Sequence, residues 1–251
     1  MKKNICGVFI DDLSKKEIMT NIKKRLKAGQ KTVIFTPNPV MVENGKKNDE
    51  FLKILNSSTF NVPDGQGIIL ASRLLRTPIK ERISGIELGE EILRHSAKRR
   101  LRVFLLGGSD GIAERAAKKL SDAYRGLIIS GALNGFDELE NATKKINECH
   151  SDIVFVCLGT PKQERWINDH KDECSASLLI GLGGSLDVWS GKVHRAPVLI
   201  RRIGLEWLWR MTLSPSKLRN LPSLLNFGVR VSTKSAKNLV KLHISPTKFN
   251  Q

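Results

Sequence analysis

The chain has 251 residues and a mass of 28.0 kDa, and hydrophobic residues make up 40% and charged residues 27% of it. A chain of this composition can bury a core, which excludes a disordered, collagen-like or low-complexity protein. The net charge of +17 at neutral pH favours an anionic partner such as nucleic acid, anionic lipid or a phosphorylated substrate.

The N-terminal half begins with a helix, a strand and one or two further helices. Ser14 and Glu17 form a capping-box pattern, after which apolar residues recur at helical spacing. The β-branched run TVIFT (32–36) predicts a strand, and Pro37 ends it. Residues 40–55 are predicted to form one long helix or two short ones.

The rest of the first 195 residues alternates strands and helices. Strands are predicted at 60–62, 101–108, 127–130, 152–159 and 177–184, and helices at 67–75, 86–99, 112–124, 138–149 and 162–170. Continuous apolar strands separated by helices imply a parallel sheet that is covered on both faces. The predicted fold is therefore an α/β, Rossmann-like catalytic domain over residues 1–195.

Residues 196–251 are predicted to form a basic, helical appendage. Residues 190–251 contain twelve Lys and Arg residues and one acid. One stripe of the last helix carries Arg230, Lys234, Lys237 and Lys241, and the other side carries Leu224, Val231, Leu239 and Leu242. Such a helix suits the surface of an anionic membrane. The alternative is a helix that packs on the domain and keeps a solvated basic face.

Five loops at the carboxyl ends of the predicted strands form the expected ligand site. They read TPNP, PDGQG, GGSDG, LGTPKQE and GLGGSLD. Asp64 in PDGQG is either a base that takes a proton from a hydroxyl or a simple turn residue. Thr36 and Asn38 either donate hydrogen bonds to a sugar or only form the loop. Arg82 pairs either with a diphosphate or with a neighbouring glutamate.

Several kinds of protein and site are excluded by the sequence. No run approaches the ~18 apolar residues of a spanning helix, and the first twelve residues lack the length and cleavage site of a signal peptide. The sequence contains no GxxxxGK[ST], GxGxxG or Asp-x-Asp motif, and its five histidines are scattered. We therefore expect no metal and no cofactor. The four cysteines show no paired spacing, which indicates reduced thiols in a cytoplasmic protein.

Six blocks between about residues 5 and 213 resemble, in order, the WecG/TagA/CpsF glycosyltransferase family. They are TPNPVMVENGKKNDEFLKILNSSTFNVPDGQGIILASRLL, ERISGIEL, VFLLGGSDGIAERAAKKL, DIVFVCLGTPKQERWI, IGLGGSLDVWSGKVHRAP and GLEWLWRM. The resemblance implies an inverting, metal-independent bacterial enzyme. It implies transfer of N-acetylmannosamine or its uronic acid from UDP to an undecaprenyl-diphosphate-linked sugar, for teichoic acid, common antigen or exopolysaccharide. Transfer of glucose or another hexose is the alternative.

The resemblance also assigns roles to individual residues. It implies that Asp64 is the catalytic base and that Thr36, Asn38, Arg82 and Gln163 surround it. The predicted contacts of the UDP-sugar are Gly65, Gly107, Gly108, Gly135, Phe136, Gly159 and Asp187. The predicted contacts of the lipid diphosphate and the membrane are Arg202, Arg210, Lys217, Arg219, Arg230, Lys234, Lys237 and Lys241. The expected location is the cytoplasmic face of the bacterial membrane, where the protein is peripheral and homo-oligomers are possible.

The block after GLEWLWRM departs from the family pattern. This chain reads SPSKLRNL, with Ser214, Ser216 and Asn220 at positions where charged residues are common in the family. The departure leaves open the strength of the grip on the lipid diphosphate and the identity of the acceptor. Two alternative functions remain. The pI of about 10.0 suggests a nucleic-acid-binding protein, and the other alternative is a catalytically silent scaffold of the same fold.

Overall fold

A six-stranded parallel sheet forms the centre of the protein, with the strand order β4-β3-β8-β7-β5-β6. The structure is a computed structural model, and it describes residues 1–136, 139–202, 204, 206–213 and 215–244. The strands are β1 (Lys2–Ile5), β2 (Val8–Asp11), β3 (Thr32–Phe35), β4 (Phe60–Asn61), β5 (Arg102–Gly107), β6 (Ile128–Leu133), β7 (Ile153–Cys157) and β8 (Leu178–Gly181). The predicted α/β fold with a parallel sheet is confirmed.

Helices surround this sheet, and those between residues 15 and 170 lie close to the positions that the sequence predicts. They are α1 (Lys15–Lys27), α2 (Pro39–Lys47), α3 (Asp49–Asn56), α4 (Gln66–Leu74), α5 (Gly85–Arg99), α6 (Ile112–Ala123), α7 (Ala142–Glu148), α8 (Lys162–His170), α9 (Ser185–Trp189), α10 (Val198–Arg202), α11 (Glu206–Leu213) and α12 (Leu221–Ile244). The predicted capping box of Ser14 and Glu17 begins α1. Residues 40–55 form two helices because Asn48 ends α2 and caps α3, where its Oδ1 accepts from Phe51 N at 2.8 Å.

The sheet has a separate hydrophobic core on each face. Alternate residues of β7 show this, since Val154 and Val156 pack with α2, α3 and α8, whereas Ile153 and Phe155 pack with α1, α5 and α6. Side chains alternate between the faces of a strand, so the continuous apolar runs of the sequence supply both cores at once. Helices on both faces, as predicted, are therefore what the strand composition requires.

An N-terminal hairpin was not predicted from the sequence. β1 and β2 pair antiparallel around Cys6 and Gly7, which both have positive φ, as a type I′ turn requires. Asp11 Oδ2 accepts from Asn61 N at 2.8 Å and fixes the hairpin beside β4. The Cys-Gly turn lacks the Asn-Gly or Asp-Gly signal of such hairpins, and the strands have only four residues each.

The last helix, α12, packs against α2 and α4. Phe227 and Val231 are buried in the same core as α2. Arg230 donates from Nε to Glu43 Oε1 at 2.7 Å and from Nη2 to Glu43 Oε2 at 3.2 Å. Part of the predicted basic stripe therefore binds the protein itself, whereas Lys234 and Lys237 are exposed.

The side of α12 that faces solvent is apolar over its first turns. Leu221, Leu225 and Val229 are exposed there, each spaced four residues from the next. The predicted lipid contacts Lys241, Arg202, Arg210 and Lys217 have side chains outside the described part of the chain, as do Leu239 and Leu242. None of the helices that the structure describes combines the length and the apolar character needed to cross a bilayer. The boundary at residue 196 stays a prediction.

Candidate active site

Three loops at the carboxyl ends of β3 and β4 are joined by backbone hydrogen bonds. Asp64 N donates to Pro37 O at 3.0 Å, and Ile83 N donates to Pro63 O at 2.9 Å. The first bond places the segment of Asp64 against the Thr36–Asn38 loop, and the second places Arg82 beside both. Four of the five predicted catalytic residues therefore lie in one group, which we call the acid cluster: Thr36, Asn38, Asp64 and Arg82.

Two members of the acid cluster make contacts that shape the loops. Thr36 is buried, and its Oγ1 donates to Gly181 O at 3.2 Å, so that it ties β3 to the end of β8. Asn38 Oδ1 accepts from Met41 N at 3.1 Å and caps α2. Asp64 and Arg82 are only partly buried. A ligand at this edge of the sheet therefore has access to a carboxylate and a guanidinium.

A second group of loops lies on the other half of the sheet. β5 and β7 are neighbours in the sheet. The chain leaves β5 toward β6 at the near edge, but it leaves β7 toward β8 in the opposite direction, so the strand order reverses between β5 and β7. Ligands of open α/β sheets bind in the crevice at such a reversal. Four predicted contacts line these loops, and we call them the glycine crevice: Gly107, Gly108, Gly135 and Gly159. Gly135 N donates to Gly108 O at 3.0 Å, which holds two of the loops together.

The glycine crevice requires glycine for a steric reason. Gly107 has a φ of +130°, and a Cβ at this position would lie 2.4 Å from Cys157 O. A side chain at Gly107 would therefore push β5 away from β7 where their loops approach each other. Glycine at this position keeps the backbone N–H groups accessible to a ligand.

Gly107→Ala is expected to lower the free energy of unfolding by at least about 2 kcal/mol, through strain at positive φ and overlap with β7. Gly228→Ala is the matched control, because Gly228 lies inside α12 with no atom within 4 Å of the new Cβ. The control is expected to gain about 0.5–1 kcal/mol of stability. Urea unfolding midpoints of both variants measure the difference, and a neutral Gly107→Ala would contradict the close approach.

Two lysines that the sequence analysis did not single out lie at the glycine crevice. Lys162 Nζ donates to Gly135 O at 2.8 Å and lies 5.3 Å from the ring centroid of Phe136, which is 71% exposed. Lys192 Nζ donates to Ser109 Oγ at 3.0 Å and lies 3.7 Å from Asp187 Oδ1. Both lysines occur in blocks that carry the family resemblance, but their spacing alone gave no signal of a shared site.

Gln163, the fifth predicted catalytic residue, lies between the two groups of loops. Its Oε1 accepts from Gly183 N at 2.8 Å, and its Nε2 donates to Glu164 Oε1 at 2.6 Å. Gln163 is buried, so it supports the loop that follows β8. The sequence places Glu164 beside Gln163 at the start of a helix, but it gave no indication that the Glu164 carboxyl is buried.

The start of the appendage reaches the acid cluster. Arg195 Nη2 lies 2.8 Å from Glu87 Oε1, in the first turn of α5 and five residues from Arg82. Gly204 lies against Gln66, since a Cβ on Gly204 would lie 2.8 Å from the Gln66 side chain. Gln66 follows the Asp64-Gly65 turn directly. The segment that leads to α11 therefore covers the edge of the acid cluster.

Comparison with known proteins identifies a matching family and similar enzymes. The model of the Glycosyl transferase WecG/TagA/CpsF family matches residues 3–240. The chain is also similar to the N-acetylglucosaminyldiphosphoundecaprenol N-acetyl-beta-D-mannosaminyltransferases of Staphylococcus aureus strain NCTC 8325 / PS 47 and strain COL. Each is 33% identical over 245 residues, which cover 96% of this chain and 95% of the relative.

Proposed function

The chain belongs to the WecG/TagA/CpsF family of glycosyltransferases, and we propose that it transfers N-acetylmannosamine from UDP to undecaprenyl-diphosphate-linked N-acetylglucosamine. The names of the staphylococcal relatives support this sugar and this acceptor. The observation that carries the proposal is the position of the acid cluster and the glycine crevice on either side of β8. A carboxylate on one side and backbone donors on the other suit the transfer of a sugar away from a diphosphate.

In this mechanism, Asp64 takes the proton of an acceptor hydroxyl while the hydroxyl oxygen attacks the anomeric carbon. The bond from that carbon to the phosphate oxygen breaks on the opposite face of the sugar, so the configuration inverts. The electron pair leaves with UDP, whose diphosphate gains negative charge. Backbone N–H groups of the glycine crevice, Arg82 and Lys162 are the groups we expect to stabilise that charge. Phe136 is exposed and offers a flat surface to the uracil ring.

A donor panel tests the proposed reaction. UDP release is measured with UDP-N-acetylmannosamine, its uronic acid, UDP-glucose and UDP-N-acetylglucosamine, each with undecaprenyl-diphosphate-N-acetylglucosamine as acceptor. We expect the fastest acceptor-dependent release with UDP-N-acetylmannosamine. Preference for UDP-glucose would replace the proposed donor with the hexose alternative. An absence of acceptor-dependent release with every donor would contradict the transfer itself and favour a silent scaffold.

We also propose that α12 contacts the cytoplasmic face of the membrane. Its solvent side carries Leu221, Leu225 and Val229, and the neighbouring helix α4 exposes Leu70 and Leu74. The two helices are linked by a hydrogen bond from Ser235 Oγ to Leu74 O at 2.8 Å. Exposed leucines on adjacent helices form an apolar surface of the kind that inserts between lipid headgroups.

Basic residues flank this apolar surface. Lys234 and Lys237 are exposed on α12, and Arg219 is exposed just before it. These charges suit anionic lipids, each worth about 1 kcal/mol close to the surface. The lipid-linked acceptor would then reach the acid cluster from the membrane side, where the turn at Gly204 lies against Gln66.

Exchange of Leu221, Leu225 and Val229 for serine is expected to weaken binding to anionic vesicles at least ~10-fold, because each buried aliphatic side chain contributes about 1 kcal/mol or more. Vesicle flotation measures the binding. The control exchanges Lys16, Lys23 and Lys27, which are exposed on α1, for serine. Unchanged binding of the apolar variant, together with a loss in the lysine variant, would assign the binding to overall charge and contradict the apolar surface. A binding titration of the protein with duplex DNA tests the nucleic-acid alternative.

A further inference from the structure

We propose that Glu164 is a positioning residue, which holds the Gln163 carboxamide against Gly183 and thereby fixes the loop between β8 and α9. The inference rests on the proposed function, because that loop separates the acid cluster from the glycine crevice. Glu164 itself is fully buried. Glu164 therefore acts on the reaction through its neighbours, and the neighbour at 2.6 Å is Gln163.

The hydrogen-bonding capacity of the groups determines the orientation of Gln163. The backbone N–H of Gly183 can only donate, so the carboxamide oxygen of Gln163 must face it. The carboxamide nitrogen must then face Glu164, and it requires an acceptor there. Glu164 Oε1, at 2.6 Å, is that acceptor. Without Glu164 Oε1, a buried N–H group of Gln163 would have no acceptor, and this orientation of the carboxamide would no longer be stabilised.

The surroundings of Glu164 favour an uncharged acceptor. Among the described residues, no Lys or Arg acts on its carboxyl group, and its other side-chain neighbour is the uncharged Thr160 hydroxyl. Burial raises the pKa of the Glu164 carboxyl, and the hydrogen bond from Gln163 offsets this only in part. A buried carboxylate without a cation is costly, which favours the neutral acid. An amide in place of the acid should therefore perform the same task.

The loop that Gln163 holds connects both halves of the candidate site. Gly181, at its start, accepts from Thr36 Oγ1 of the acid cluster. Gly183 itself has a φ of +52°. The loop then enters α9, which carries Asp187, and Asp187 shares Lys192 with Ser109 of the GGSDG loop. A shift of Gly183 therefore moves a proposed contact of the nucleotide relative to the acid cluster.

The test compares E164M, which removes the acceptor at similar volume, with E164Q, which keeps a neutral acceptor oxygen. Because displacements of about 1 Å can cost ~100-fold in rate, we expect E164M to lower kcat ~30-fold and E164Q to stay within ~3-fold of wild type. We expect the affinity for UDP, measured by calorimetry, to fall ~10-fold in E164M only, because Asp187 moves. A role confined to packing would lower the melting temperature of E164M without changing UDP affinity or the kcat of the folded protein.

A double-mutant cycle with Q163M checks the route through Gln163. If Glu164 acts only through Gln163, then Q163M and the double variant lose the same activity. Additive losses would overturn the proposal, as would wild-type activity in E164M. A loss of kcat above ~10-fold in E164Q would also overturn the proposal. If E164M does not fold, the kcat of E164Q alone tests the proposal. Wild-type protein that binds UDP but transfers no sugar would instead refute the proposed function, and the UDP affinities would still test Glu164.

Discussion

Asp64→Asn is expected to lower turnover at least ~100-fold, the range of general-base effects, while the fold and UDP binding stay intact. Asparagine has the same size and keeps an oxygen that accepts hydrogen bonds, but it cannot take the proton of an attacking hydroxyl. The backbone bond from residue 64 to Pro37 O does not involve the side chain and should persist. UDP release with the lipid-linked acceptor measures turnover, and calorimetry with UDP measures binding.

Asp110→Asn is the matched control for this variant. Asp110 is an exposed carboxylate in the GGSDG loop, on the other half of the site. It is expected to keep turnover within ~3-fold, because an exposed charge of this kind contributes little. Near-normal turnover of Asp64→Asn would remove Asp64 from its role as the base. Equal losses in both variants would point to a general effect of negative charge.

Arg230→Met is expected to destabilise the protein. Arg230 holds both carboxyl oxygens of Glu43, and the Glu43 side chain is fully buried. Removal of Arg230 leaves that carboxyl without its cation, which we expect to cost about 2–3 kcal/mol, less than for a wholly buried pair because Arg230 is partly exposed. A loss of this size lowers the melting temperature by roughly 5–10 °C for a chain of this length.

Two control variants separate the pair from the helix itself. Lys237→Met removes an exposed charge two turns further along α12 and should change the melting temperature by less than about 2 °C. The double variant Glu43→Met and Arg230→Met should recover much of the loss, because it leaves no unpaired buried charge. Differential scanning calorimetry measures all three. A stable Arg230→Met would mean that Phe227 and Val231 alone hold α12 in place.

The order of strands and helices along the chain was readable from the sequence because it depends on local periodicity. The runs at 103–106 and 153–158 are apolar at every position, and a strand with two buried faces has that composition. The Ser14–Glu17 capping box is a contact between residues three apart, so its prediction needed no tertiary information. The hairpin at Cys6 and Gly7 was missed because a short hairpin obtains its stability from distant residues such as Asn61.

The candidate site also has a part that the sequence predicted and a part that only the structure shows. The polar and glycine loops were predicted to share one edge, because the carboxyl ends of parallel strands must meet there. Asp64, Thr36 and Arg82 were candidates from their loops and received their roles from the family resemblance, and only the structure brings their loops together through Pro37 O and Pro63 O. The partnership of Gln163 with Gly183 had no signal in the sequence, since the two residues are twenty positions apart.

The sequence by itself determined which segments are strands and helices, which loops carry polar groups and where the positive charge accumulates. Only the tertiary structure decided which side of each helix meets the protein. In α12 the basic stripe predicted for lipid includes Arg230, which binds Glu43, while Leu225 and Val229 face solvent. The physical reason is that periodicity defines the faces of a helix, but the partner of a face depends on residues far away in the chain.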